Sequence, residues 1–215
     1  MGASHYGIYV YAFAWASALS LLATLGLDAA SLRFLPQYRG TTQWHRFAAF
    51  LRESRRLTFA GSGILAILSG GALWALGDRL TPEAATTLAV AAAALPLLAL
   101  LQLFSSQLRA LNHVVAGEAP PRIAVPALVA GAVLLYASAT GAPTPAPVGM
   151  AALLVFSGTA ALGCFVLLVR RLPPAARKAE ARAARERPQW LRTAFYLLAI
   201  TGFHLLLSRT DVIMV

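Results

Sequence analysis

The chain has 215 residues, 59% hydrophobic and 12% charged, with a mean hydropathy of +0.68. Soluble domains average about half apolar and about a quarter charged, and the apolar residues here come in blocks near membrane length, which excludes an ordinary soluble domain. The formal net charge of +10, from 18 Lys+Arg against 8 Asp+Glu, leaves nucleic acid or an anionic membrane surface as partners, and the placement of the charges decides between them.

A bilayer core of about 30 Å needs roughly 20 apolar residues in a helix. Six segments meet that need, which predicts an all-α integral membrane protein with a polytopic helical bundle. The first is Ile8–Leu27, preceded by MGASHYG without the basic region of a secretory signal. Then comes QWHRFAAFLRESRR (Gln43–Arg56), with Trp44, Phe47, Ala48 and Leu51 on one helical face. It reads as a short interfacial helix. The second span is Leu57–Leu76. Its GSGILA (Gly61–Ala66) has the form of a dinucleotide fingerprint but lacks the strand that motif requires. Ser62, Ala66 and Gly70, four apart, read instead as a small-residue packing face.

The third span, Thr86–Leu108, contains Pro96, which inside a membrane helix marks a kink more often than a break. Gln102, Ser105, Ser106 and Gln107 lie near its end and are candidates to line a cavity. The fourth and fifth spans are Ile123–Thr140 and Val148–Val169. Cys164 in the fifth is the sole cysteine, so no internal disulfide or cysteine zinc site can form. Pro173–Trp190 reads as a solvated, basic, Ala-rich helix linking two membrane blocks, and the sixth span runs from Thr193 to the chain end.

The basic residues alternate in density between loops. Sixteen of the 18 fall after spans one, three and five; Arg79 and Arg209 are the others. This asymmetry places the basic loops in the cytoplasm. It also excludes nucleic acid, because the charge is divided over three loops on one membrane face. That orientation puts the first residue and the end of the sixth span on the outer side, and the sequence is expected to be a fragment.

The last span carries the most telling polar pattern. Thr201, His204, Ser208 and Asp211 have offsets of 0, 3, 7 and 10, within roughly 80° of one helical face. Arg209 flanks that face, about 24 Å along the helix from Thr193. A charge facing lipid at the bilayer centre costs roughly 2.5–3.5 kcal/mol, so such residues face a bundle interior or a wet cavity and mark substrate or ion routes. Asp28 and Arg33 stand at the inner end of the first span as candidate gate residues. The four histidines are scattered, no zinc-protease, P-loop or nucleophile-elbow motif is present, and nothing assembles a nucleophile, base and orienter, so no enzyme is expected.

Two end motifs resemble one family. Tyr6-Gly7-Ile8-Tyr9 with Gly26-Leu27-Asp28 and Arg33-Phe34-Leu35-Pro36, and Thr210-Asp211-Val212-Ile213-Met214 near the end, resemble the bacterial polysaccharide-biosynthesis (O-antigen) oligosaccharide flippases. Their superfamily also holds multidrug and toxin extruders and lipid II flippases. The resemblance implies two bundles of six helices opening alternately to either side of the bacterial inner membrane. Under it, residues 1–172 are a first bundle lacking its first helix, 173–192 a basic linker and 193–215 the first helix of a second bundle. The implied activity is transport of a lipid-linked oligosaccharide or polysaccharide precursor, without a cofactor. The bilayer, the lipid-linked glycan, and a polysaccharide polymerase or glycosyltransferases would be the partners. Arg209 could neutralise a diphosphate, and Asp211 orient that arginine or couple a cation. The alternatives are a cation-coupled drug or metabolite exporter of the same superfamily, and a membrane-embedded glycan-modifying enzyme.

Overall fold

A computed structural model of the chain describes residues 2–76, 80–178 and 188–200. The described residues are helical, without strands. Helix α1 spans Ala3–Ala23, α2 Leu27–Gly40, α3 Trp44–Leu76, α4 Pro82–Ala110 and α5 Val114–Ala119. A π-helical turn at Pro120–Ala124 leads into α6, Val125–Thr140; α7 is Ala146–Arg171 and α8 Pro174–Lys178. Residues 188–200 form a further helix, α9.

Five segments among the described residues are long and apolar enough to cross a membrane: Ser4–Ala23, Trp44–Ala75, Pro82–Ala110, Val114–Thr140 and Ala146–Arg171. These define the class, a multi-pass helical membrane protein. The structure departs from the sequence reading in several places, and the fourth span begins at Val114 rather than Ile123. Helix α1 begins earlier and stops at Ala23, because Leu25 and Gly26 take positive φ (52° and 73°) and turn the chain into α2. The predicted interfacial helix is instead continuous with the second span in the 33-residue α3. Its apolar face is real, but Phe47 and Leu51 are buried in the bundle rather than laid on a membrane surface. The Ser62 face is correct only in part: Ser62 is buried, Ala66 partly so and Gly70 exposed. The close approach falls at Gly61, where a Cβ would stand 3.1 Å from the Ala23 carbonyl oxygen.

Helix α4 is the centre of the bundle, packed against α1, α2, α3, α5 and α7. Its sequence explains the position. Ala91, Ala92, Ala94 and Ala99 are buried, and such small residues let neighbouring backbones approach where lipid offers no hydrophobic drive. Thr81 caps the helix by accepting from the Ala84 N–H at 3.3 Å, with Pro82 at the first position. The helix is continuous through Pro96.

The two ends of the bundle are tied differently. At the end away from the basic loops, one Glu83 carboxylate oxygen meets His5 Nδ1 at 2.6 Å and accepts the Ala146 N–H at 3.0 Å. One side chain thus joins the starts of α1, α4 and α7, and satisfies a donor that α7 leaves open. At the basic end, Phe34 stacks on Tyr38 and meets Phe50, and the Trp190 ring stands edge-on to Phe50 at 5.4 Å. Trp190 Nε1 donates to Tyr38 Oη at 2.8 Å. Trp190 and Ala194 are buried. The solvated linker expected to reach Trp190 therefore ends before it, and α9 begins at 188, ahead of Thr193.

Candidate functional site

A groove of about 1040 Å³ lies between α1 and α6, with α4 and α7 behind it. Helix α1 contributes one stripe from Tyr6 through Tyr9, Phe13 and Ser17 to Leu21. Residues three and four apart share a helical face, and this run rises about 22 Å, most of the roughly 30 Å of a bilayer core. Helix α6 supplies Pro126, Val129, Ala130 and Val133, and α7 supplies Leu153. Tyr9 and Phe13 stack within the α1 wall at 6.3 Å.

Tyr6, Tyr9, Ser17 and Gln102 bring polar groups into this mainly apolar lining. Gln102 of α4 lines the groove, and its Oε1 is buried with no hydrogen-bond partner among the described residues. A buried unsatisfied oxygen costs about 1–3 kcal/mol, so this atom is poised to accept a hydrogen bond from whatever enters. Of the four polar residues expected to line a cavity, Gln102 alone reaches the groove. Gln107 turns into the α3 contact, donating from Nε2 to Ser54 Oγ at 3.1 Å. Ser106 accepts from Arg109 Nη2 at 2.8 Å, and Ser105 is buried.

The gate candidates stand elsewhere. Asp28 sits in the first turn of α2, where the helix N-terminus favours a carboxylate, and accepts from Thr24 Oγ1 at 3.2 Å. Arg33 is exposed, its guanidinium 6.0 Å from the Phe34 ring centroid. Neither lines the groove. Thr201, His204, Ser208, Arg209 and Asp211 lie outside the described residues.

The sequence reading missed a charged cluster at the basic foot of α6. Glu118 accepts from Arg109 Nη1 and from Arg122 Nε, each at 2.5 Å. The π turn positions Arg122. Pro120 and Pro121 lack the N–H that an α-helix requires and their rings crowd the preceding turn, so the chain widens and the Val125 N–H bonds Pro120 O. Gly117 permits the close crossing of α5 on α4, since a Cβ there would fall 2.6 Å from the Ser105 oxygen. The signals were present as a Glu-x-x-x-Arg pair and a double proline. They lay just outside the predicted fourth span and passed as loop.

No family profile, curated protein or solved structure matches the chain.

Proposed function

We propose that the chain forms the first-bundle part of a flippase that moves a lipid-linked oligosaccharide or polysaccharide precursor across the bacterial inner membrane. The observation that supports this reading is the groove, which runs through most of the membrane depth with one unsatisfied oxygen behind it. An apolar slot suits the lipid chain, and a polar group within it suits the glycan or phosphate that must cross. The second bundle implied by the family resemblance completes the cavity, and alternating access moves the cargo. The basic loops face the cytoplasm. Arg209 supplies a positive charge to the diphosphate in a low-dielectric cavity.

The test is surface-glycan export in a deletion strain complemented with the full gene. Wild type restores export. Ala130→Trp, which fills the groove, and Arg209→Ala each abolish it at normal membrane abundance. Full export by Ala130→Trp sinks the groove route, and full export by Arg209→Ala sinks the role of that arginine.

A further inference from the structure

The basic foot of the groove has features that its apolar length does not explain. Glu118 is one carboxylate between two guanidiniums, so the trio Arg109–Glu118–Arg122 keeps one positive charge. The charge is displayed on one side: the Arg122 side chain is 75% exposed, against 29% for Arg109 and for Glu118. Arg122 meets Glu118 through Nε. Its two terminal nitrogens, which carry four of the five N–H donors of the guanidinium and can fork onto a phosphate, have no described partner. Arg122 also continues the groove-lining stripe of α6, four residues before Pro126, with Val129, Ala130 and Val133 beyond.

Depth identifies the partner. Counting about 20 residues back from Thr140, one bilayer core, reaches Pro121. Arg122 therefore stands at the level of lipid headgroups. The stretch where α6 faces α1, Pro126–Val133, rises about 10 Å. That lies within one leaflet, roughly 15 Å or half of the core. An object with a negative head at Arg122 and apolar chains in this walled stretch has the dimensions of a lipid from the adjoining leaflet.

We propose that the basic half of the α1/α6 groove holds a resident anionic phospholipid of that leaflet, its acyl chains between the two helices and its phosphate on Arg122. The lipid seals the groove when no cargo is in it. The site does not depend on the transport reading, because it is read by lipid retention alone.

The experiment is native mass spectrometry of the protein purified from nanodiscs containing equal amounts of phosphatidylglycerol and phosphatidylcholine. Wild type retains phosphatidylglycerol over phosphatidylcholine by about fivefold, the ratio expected of one basic residue at a membrane surface. Arg122→Gln still retains lipid but loses the preference. Ala130→Trp loses retention, and Ala14→Phe, from the opposite wall, does the same if the first variant misfolds. Arg56→Gln, an exposed arginine of α3 that does not line the groove, leaves both unchanged. The proposal is overturned if the preference survives Arg122→Gln, if retention survives both groove-filling variants, or if Arg56→Gln lowers the preference as much as Arg122→Gln. It is also overturned if Ala130→Cys crosslinks to another polypeptide in the native membrane, which assigns the groove to a helix. Lipid retention in groove-filling variants that no longer export overturns this inference alone. Lipid retention in a wild type that exports nothing overturns the transport reading alone.

Discussion

Glu83 shows how much one side chain can hold in this bundle. Its carboxylate meets His5 on α1 and the first N–H of α7 from the start of α4. Glu83→Ala leaves the Ala146 donor unpaired and is expected to lower the stability of the bundle. Thermal unfolding in detergent measures the loss, and Glu83→Gln, which keeps an acceptor oxygen, should lose less. Gly26 is fixed by two independent demands. Its φ of 73° is open mainly to glycine, and a Cβ there would fall 2.1 Å from the Ala194 carbonyl oxygen. Gly26→Ala is therefore expected to displace α9, and a red shift of Trp190 fluorescence, in a background lacking the other tryptophans, would report it. An unchanged spectrum would mean that α9 docks without this contact. Both residues were visible in the sequence as residue types. Glu83 lay in the GDRLTPE loop as one charge among others, and Gly26 was noted only as part of a motif, because the partner of each is more than 60 positions away.

Helix α9 is the element whose placement depends most on distant contacts. Its own sequence gives a membrane-like segment, and nothing in PQWLRTA reveals where it docks. The site is an aromatic cluster of Phe34, Tyr38 and Phe50 from α2 and α3, into which Trp190 inserts. Removing a buried aromatic ring costs about 3–5 kcal/mol, whereas the single Tyr38 hydrogen bond contributes about 1 kcal/mol. Trp190→Ala is thus expected to release α9 and raise the rate of protease cleavage after the basic residues at 182–187 many-fold. Tyr38→Phe should raise it only slightly. Equal cleavage in both variants would show that the ring contributes little. The same logic explains α3. Hydropathy stops at the charged residues Arg52, Arg55 and Arg56 and so divides the helix in two. In the fold, Arg55 donates from Nε to the Leu51 carbonyl oxygen and lies 5.6 Å from the Phe165 ring centroid, so the charges are accommodated within one helix.

On the scale of the molecule, the arginines beside the turns that follow α2, α4 and α7 lie in the adjoining helix ends, among them Arg39, Arg46, Arg109, Arg170 and Arg171. Thr41 and Ala142 are exposed in connections at opposite ends of the bundle. Cysteines introduced there should react with a membrane-impermeant reagent from opposite sides of the membrane, Ala142→Cys from outside and Thr41→Cys only after permeabilisation. The native Cys164 is buried and gives little background. Labelling of both from one side would overturn the membrane reading of these two ends.

By itself the sequence determined the class of the molecule: long apolar blocks, few charges and a one-sided distribution of arginines specify a helical bundle in a bilayer, because each backbone polar group must be satisfied within its own helix. It also marked Gln102 as a polar residue in an apolar span. Only the tertiary structure decided that Gln102 faces a groove while Gln107 faces α3, that α1 and α6 stand apart with α4 behind them, and that Arg122 lies at the foot of the same stripe. The physical reason is that hydropathy reports burial from water, and inside a membrane every face of a span is already apolar. Which face meets lipid, a neighbour or a cavity is set by packing between distant helices, and periodicity along one helix carries little record of it.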